Sequence, residues 1–552
     1  MKRAWRLPIL LLLPALVVGA IVVQDRNTSS STSTVRLNEM VPTASPNDAL
    51  SSTWYCAAGS ATGVSTGESA GFAEQSVTIS NASPVDATGA VTAYTEKGDT
   101  ALKAVKVAAH SQTTVRVSDI VKAPWASALV EISGGGITVT HELRGAAGRS
   151  ISACASAPSG QWYFPSGTTR AGTRNLMALF NPFPGEATVD ISFDTEDGAR
   201  TPQQLQGMVV PGGRVVVVDV GAIVTLRERV STTVSVRIGR VIAEQIQTSD
   251  GRDNSEQGLT AVLGATAVAS IWTFPVATAA STTAREIVSL LNTGDSDTTV
   301  QVEIQLDDPA TNGSVEPFVI QVASRRSAQI DLGSDPRIPK TVGRWLIVRS
   351  TDSAAIVAER SVGATRGTAG GGLSYTMGVP IVATRWLGTI ATATDVSSTL
   401  VSVVNPSATE TATVTISTHA KGSVLALSSA KSVRIAPGQR LVLNLTSATT
   451  GKVDASLEIE SDTPVAVGQW MTSTVPMEIM TISDYPVLGT ESQLVNVFSP
   501  DQAVAATAGV PSDDTIPDST TTTTSTTVAA VAATVPGAPT TTVVGATTTT
   551  IR

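Results

Sequence analysis

Alternating apolar and polar positions dominate the chain between about residues 50 and 490. In "TVQVEIQLDD" the apolar side chains Val300, Val302 and Ile304 fall on every second residue, and "TVDISFDTEDG" and "TVTISTHAKG" repeat the pattern. Such alternation places one face of a β-strand in a core and the other face in water. Clusters of Gly, Pro, Asn and Asp separate these segments. The pattern therefore predicts short antiparallel strands joined by turns.

The same order of strands recurs in four copies along the chain. Each copy begins at a tryptophan, and the successive tryptophan spacings are 108, 110 and 114 residues. The copies begin at Trp54, Trp162, Trp272 and Trp386, and their first turns contain Asn81, Asn181, Asn292 and Asn405. About seven short strands in such a period indicate a two-sheet β-sandwich. We therefore expect an all-β protein with four tandem immunoglobulin-like β-sandwich modules.

The repeats and the flanking composition divide the chain into seven segments. They are a signal peptide or transmembrane anchor at 1–26, a Ser/Thr-rich linker at 27–50, β-sandwiches at 51–158, 159–268, 269–382 and 383–492, and a disordered Thr/Pro/Ala-rich tail at 493–552. The tail is too poor in periodic apolar residues to build a core. Stacked end to end, the four modules would form a rod.

The N-terminus resembles an export signal. Lys2, Arg3 and Arg6 precede the uncharged run "LPILLLLPALVVGAIVV", which ends before Gln24. Small residues near Gly19 allow cleavage, whereas the length of the run allows it to remain as a single membrane-spanning helix. In either case we expect the residues that follow to lie outside the cytoplasm, membrane-anchored or secreted.

Charge and cysteine content narrow the possible functions. The chain has 37 basic and 46 acidic residues and a net charge of −9, so nucleic acid is not an expected partner. Cys56 and Cys154 are the two cysteines. Both fall in the part predicted to be exported, where disulfides persist, so we expect them to pair and to tie the first strand of the first module to its end. Two free buried thiols are the alternative.

Candidate catalytic and metal-binding patterns are weak. Gly63, Ser65 and Gly67 have the spacing of a nucleophile elbow, but no helix follows them, and Ser428 with Lys431 forms an isolated SxxK. The histidines His110, His141 and His419 lie in separate stretches without metal-ligand spacing. The loop with Asp250, Asp253 and Glu256 lacks the regular spacing of a calcium loop. We predict no enzymatic activity, no cofactor and no metal site.

Two recurrent columns have both a structural and a binding interpretation. The last long strand of each copy carries an acid or amide, at Glu142, Glu244, Glu359 and Gln469. A residue that recurs in every module serves the module's structure more often than catalysis, so we expect these groups to bond a turn or a seam between modules. The four tryptophans stand at module junctions, and we expect them to pack there rather than to stack on sugars.

The motifs "WYFPSGTT", "ALFNP", "VPGGRVVVVDV" and "VIAEQ", with their weaker copies, resemble an uncharacterised family of secreted or membrane-anchored bacterial envelope proteins with tandem immunoglobulin-like repeats, a domain of unknown function. The resemblance covers roughly residues 50 to 490, and the first copy departs from it at Asn81 and Ala82. It implies an exported envelope protein and transfers no catalytic residue.

These observations favour a non-enzymatic exported envelope protein that acts as a scaffold or an adhesion rod. Its expected partners are envelope proteins or cell-wall glycans, bound through loops and strand edges, and the membrane through the N-terminal segment. The alternative is a carbohydrate-binding accessory protein in envelope polysaccharide assembly. Exposed aromatic clusters would favour this alternative, and buried tryptophans would count against it.

Overall fold

A computed structural model describes residues 41–64, 71–277, 284–339, 342–367, 370–390, 396–445, 455–473, 479–482, 484–487, 493–494 and 497–498. This part of the chain is nearly all β-structure. Its helices are single 3-10 turns at Val117–Asp119, Gln203–Leu205, Val220–Ala222, Arg252–Asn254 and Ser428–Ala430. In the described residues, no helix has the length and apolar character needed to cross a membrane. The predicted signal or anchor at 1–26 lies outside them, as do 27–40 of the predicted linker and 499–552 of the predicted tail.

Strand pairing sorts the strands into four groups along the chain. Group 1 contains β1 (Ser51–Ala61), β2 (Glu74–Asn81), β3 (Ala87–Thr95), β4 (Thr100–Val107), β5 (Ser111–Arg116), β6 (Ala123–Ser133), β7 (Ile137–Gly145) and β8 (Gly148–Ala153). Group 2 contains β9 (Gln161–Phe164), β10 (Thr173–Asn181), β11 (Ala187–Thr195), β12 (Gly198–Arg200), β13 (Met208–Val210), β14 (Arg214–Asp219), β15 (Val230–Ile238), β16 (Ile242–Asp250) and β17 (Gln257–Leu263).

Groups 3 and 4 complete the chain of strands. Group 3 contains β18 (Val268–Ala269), β19 (Ile271–Ala277), β20 (Ala284–Asn292), β21 (Thr298–Leu306), β22 (Phe318–Val322), β23 (Ser327–Asp331), β24 (Arg344–Ser350), β25 (Ile356–Gly367) and β26 (Gly370–Met377). Group 4 contains β27 (Ile381–Ile390), β28 (Val396–Val404), β29 (Ala412–Ala420), β30 (Ser423–Ala426), β31 (Val433–Ile435), β32 (Arg440–Asn444), β33 (Ala455–Ser473), β34 (Ile479–Ile482) and β35 (Asp484–Pro486). The last strands are β36 (Gln493–Leu494) and β37 (Val497–Phe498).

Each group pairs its strands in the same order. In group 2 one sheet runs β12-β11-β15-β9 and the other β14-β10-β16-β17, and group 3 repeats this with β22-β21-β24-β19 and β23-β20-β25-β26. In group 1 the two corresponding sheets are joined by one bridge between Ser60 and Glu74. In group 4 the 19-residue strand β33 belongs to both sheets. Apolar residues at alternate positions of β11 and β21 face the core between the sheets.

The position of the first strand differs from the immunoglobulin-like order expected from the sequence. In an immunoglobulin domain the first strand lies beside the second. Here β9 pairs with β15, with Trp162 opposite Val234, and β19 pairs in the same way with β24. Alternation and turn spacing predict the number of strands and their buried faces, but they do not specify which sheet edge the first strand joins.

The four groups contact one another in a closed cycle, so the end-to-end rod expected from the sequence is wrong. Polar contacts at the four boundaries include Glu244 with His141, Ser166 with Glu359, Arg440 with Asp307, and Tyr485 with Val139. The last of these returns from group 4 to group 1. Outer faces that alternation assigns to water are buried instead: Leu176 and Ile246 of group 2 pack against Leu143 of group 1. We call this cycle the ring.

Segments outside the four groups also belong to the fold. Ala44 forms a parallel bridge with Val487, and the backbone N–H of Thr43 donates to Ser156 Oγ at 3.1 Å. Strand β36 pairs with β27, and β37 pairs with β18. The fold therefore includes the last ten residues of the predicted linker and two short strands of the predicted disordered tail.

Candidate functional site

A buried asparagine closes the same turn in every group. Asn292 Nδ2 donates to the carbonyls of Ser296 (2.8 Å) and Val322 (3.1 Å), while Asn292 Oδ1 accepts from Gly294 N–H at 2.9 Å. Matching bonds are made by Asn81, Asn181 and Asn405. Unpaired buried carbonyls are costly, so we assign the four turn asparagines a structural role: they satisfy the carbonyls of the turn.

The four module-start tryptophans, Trp54, Trp162, Trp272 and Trp386, are buried, with at most 1% of each exposed. The indole N–H groups of three of them donate to backbone carbonyls at 2.9 to 3.0 Å: Trp162 to Val241, Trp272 to Ile356 and Trp386 to Val465. Trp54 packs edge-on against Tyr485, with ring centroids 4.9 Å apart. None of these rings is available to stack on a sugar.

Strand register corrects the predicted acid and amide column. Glu244 lies opposite Ala178 and Glu359 opposite Ser289, each three residues before the turn asparagine. The same position is Thr140 in group 1 and Gly468 in group 4. Glu142 and Gln469 therefore stand further along their strands and do not belong to the column. The repeated motif is weakest in groups 1 and 4, so the sequence pattern predicts the register there incorrectly.

The two true members of the column bind across boundaries of the ring. Glu244 Oε1 lies 2.8 Å from His141 Nε2 of group 1, and both side chains are fully buried. Glu359 Oε2 accepts from Ser166 N–H of group 2 at 2.7 Å. Burial raises the pKa of Glu359 to about 7, against the lowering effect of its bonds to Ser166.

The remaining sequence candidates do not converge on a reactive site. His110 and His419 meet at the boundary of groups 1 and 4, with their Nδ1 atoms 3.1 Å apart. Glu256 pairs with Arg170 and Arg285, and Asp250 pairs with Arg252. Among the described residues, no cluster of three His, Cys, Asp or Glu side chains could hold a metal. Of the three residues with nucleophile-elbow spacing, Gly63 is described, whereas Ser65 and Gly67 lie outside the described residues. Ser428 begins a 3-10 turn that ends just before Lys431.

In each group one residue of the first strand contacts one residue on, or directly after, the last strand. The residue types of this pair differ from group to group. In group 1 the pair is the predicted disulfide between Cys56 and Cys154, which is present. In group 2 Phe164 covers Gly264, where an added Cβ would lie 2.5 Å from the ring, and in group 3 Phe274 covers Gly378 in the same way at 3.0 Å. Group 4 reverses the pair, with Gly388 on β27 opposite Asp484 on β35.

The last strands of the groups meet at the centre of the ring. Ala261 N–H on β17 donates to Ser150 Oγ on β8 at 2.9 Å, and Tyr375 N–H on β26 donates to Thr260 Oγ1 on β17 at 3.0 Å. Beside them is a cavity of about 150 Å³, which we call the central cavity. Its lining includes residues from all four groups, among them Ser152, Trp272, Arg360, Tyr375, Asp484 and Tyr485. Because neighbouring groups cover these sheet edges, they are protected from pairing with another chain.

Asp484 is the unusual group in the central cavity. Gln469 Nε2 donates to Asp484 Oδ1, whereas Asp484 Oδ2 is buried and has no hydrogen-bond partner in the described structure. Burial raises the pKa of Asp484 to about 7, and the bond from Gln469 opposes this shift only partly. The sequence analysis missed this residue. The available indication was the column "WYC", "WYF", "WTF" and "WLG", in which Gly388 leaves a space that another side chain must fill.

The comparisons with known proteins identify no activity. Residues 136–371 match a family of unknown function, DUF5719. No match to a curated protein is found. The crystal structure of Thermotoga maritima 1070 is 20% identical over 20% of this chain and 93% of its own, with a TM-score of 0.17. A tetra-tandem repeat from the extending region of a large adhesion protein is 12% identical over 74% of this chain and 94% of its own, with a TM-score of 0.10. Similarity at this level assigns no function.

Proposed function

We propose that the protein is a non-enzymatic scaffold of the cell envelope, built from four β-sandwich modules closed into a ring. The N-terminal segment exports it and either anchors it or is cleaved. The observation that carries the proposal is the closed cycle of contacts, because its polar residues are used to hold the modules together. Glu244 and Glu359 bond across module boundaries, and the repeated asparagines bond turns. Outer loops and strands are left to bind envelope proteins or cell-wall glycans.

The exposed edge of group 4 offers a place to test this proposal. All four residues of β30 are exposed, with Leu425 66% exposed. A photo-crosslinking amino acid at Leu425 in the full-length protein, expressed in its own cells, should capture a discrete envelope component. The matched control places the same amino acid at Leu226, which is 70% exposed and lies in group 2. If the protein in cells whose wall has been removed resists protease added from outside, that result would count against export.

A second candidate function is carbohydrate binding in envelope polysaccharide assembly. The burial of the four module-start tryptophans counts against it, whereas one partly exposed aromatic pair favours it. Phe72 and Trp125 are half-buried, with ring centroids 5.5 Å apart, and Arg174 of group 2 lies 5.1 Å over the Phe72 ring. Exposed aromatic faces can stack on sugar rings. Saturable binding to isolated wall polysaccharide that is lost in Trp125→Ala would favour this function over the scaffold.

A further inference from the structure

We propose that the central cavity is a binding site for a small organic ammonium compound, with the ammonium group at Asp484 and the apolar body between the last strands of the modules. The inference stands apart from the envelope function, because it rests only on the chemistry of the cavity.

The size of the cavity sets the size of the ligand. An apolar cavity of about 150 Å³ in a protein core holds one benzene ring. The central cavity has about this volume and is lined mainly by apolar side chains. The aromatic side chains Trp272, Tyr375 and Tyr485 contribute to its wall. Aromatic faces attract cations as well as apolar rings, so the wall suits a compact molecule that has both.

The charge of the ligand follows from the polar atoms that have no partner. Asp484 Oδ2 is a buried acceptor without a donor in the described structure, and the hydroxyl of Ser152, which also lines the cavity, is unpartnered. Buried polar atoms normally have hydrogen-bond partners. An ammonium group carries three donors and a positive charge, so it would satisfy acceptors of this kind and hold the carboxyl group in its ionised form.

Among the described residues that line the cavity, no other charge is available to neutralise Asp484. Arg360 is the other charged side chain among the described lining residues, and it is engaged elsewhere. Its Nε donates to Glu286 Oε1 at 2.6 Å and its Nη1 to the Val276 carbonyl at 2.8 Å. Tyr375 and Tyr485 titrate far above neutral pH because burial raises the pKa of each phenol. Asp484 therefore decides the charge preference of the cavity.

Comparison among the groups supports a role for Asp484 beyond packing. The matching positions are filled by a disulfide in group 1 and by a phenylalanine over a glycine in groups 2 and 3. Any of these would fill group 4 without burying a carboxyl group, which is costly. An acid in this place is explained by a ligand that pairs with it.

The test is a titration of the full-length protein with benzylammonium at about pH 8, followed by calorimetry and by the fluorescence of the tryptophans beside the cavity. Toluene, benzyl alcohol and benzoate serve as neutral and anionic matches of the same size. We expect saturable 1:1 binding of benzylammonium at least tenfold tighter than any of the three. Affinity should increase as pH rises through 7, because the carboxyl group ionises in that range.

Asp484→Asn should reduce benzylammonium affinity to that of benzyl alcohol, while the exposed Asp197→Asn should leave it unchanged. If Asp484→Asn does not fold, the pH dependence and the ligand series with the wild-type protein still decide the question. Equal affinity for toluene and benzylammonium would overturn the proposal in favour of an uncharged apolar cavity. The absence of saturable binding by all four compounds would overturn it outright.

Discussion

The side chain of Asp484 occupies the space directly beside Gly388, where groups 2 and 3 have a phenylalanine. A Cβ atom on Gly388 would lie 2.1 Å from Asp484 Oδ1 and 2.6 Å from Gln469 Nε2. In group 2 the relation is inverted, because Gly264, directly after the last strand, makes room for Phe164 on the first. The two positions therefore share one volume, which each group fills from one side or the other.

Substitution of Gly388 should destabilise the protein unless Asp484 is shortened at the same time. Gly388→Ala should cost about 1 to 3 kcal/mol, because the added methyl group overlaps two buried side chains. Gly388→Phe should cost more, and the double variant Gly388→Phe/Asp484→Gly should recover part of the loss by recreating the pair of group 2. Calorimetric unfolding measures all three. Gly185→Ala, which meets no atom within 4 Å, is the control; equal effects of Gly388→Ala and Gly185→Ala would contradict the packing.

Replacement of the buried acid should stabilise the unliganded protein in a pH-dependent way. The pKa of Asp484 is raised by burial from 3.8 to about 7, so between these values the folded state binds more protons than the unfolded state. Stability should therefore fall as pH rises through this range. Asp484→Asn removes that loss, and its advantage should grow between about pH 4 and 7 to about 4 kcal/mol and then stay constant. Unfolding midpoints measured across this range, with Asp197→Asn as the control, test the prediction; an advantage independent of pH would exclude the linkage.

The outcome at Asp484 shows what the sequence can and cannot predict. The disulfide was predicted because Cys56 and Cys154 both fall in the part expected to be exported, at the start and the end of the first module. Cys56 stands in the column that holds phenylalanine in groups 2 and 3. Gly388 in that column indicated a missing side chain, but Asp484 lies 96 positions later in a stretch without alternation. The ring could not be predicted from the sequence, because a repeat shows which strands each module contains but not which outer faces of the modules contact one another. Tyr485 and Val139 are separated by 346 residues, and no local pattern links them.

The turn asparagines should be among the residues least tolerant of substitution. Asn292→Ala removes the donors to the carbonyls of Ser296 and Val322 and leaves the buried Val322 carbonyl without that partner. We expect a loss of about 2 to 4 kcal/mol in the free energy of unfolding. Gln204→Ala, at an exposed position of the 3-10 turn Gln203–Leu205, should cost less than about 0.5 kcal/mol. Chemical denaturation compares the two variants, and similar midpoints would show that the bonds contribute little.

Closure of the ring between groups 4 and 1 should weaken in acid. His419 Nε2 lies 2.8 Å from Glu458 Oε2, while His419 Nδ1 lies 3.1 Å from His110 Nδ1, and Gly422 N–H donates to the His110 carbonyl. In the neutral pair one Nδ1 donates to the other, but with both rings protonated neither Nδ1 can accept.

Burial lowers the pKa of His110 from 6.5, and the neighbouring His419 lowers it further. The unfolded state therefore binds more protons just below pH 6.5, so the contact contributes fully above that pH and is lost as pH falls through the lowered pKa. Hydrogen exchange in β5 and β29, corrected for intrinsic rates, should accelerate between about pH 7.5 and 5.5, while β11 in group 2 should change little. His110→Asn should remove most of this difference, since it removes the ring whose pKa is lowered. Acid-dependent exchange that persists unchanged in His110→Asn would place the sensitivity elsewhere, and equal acceleration in β11 would indicate general loosening of the fold rather than opening of the ring.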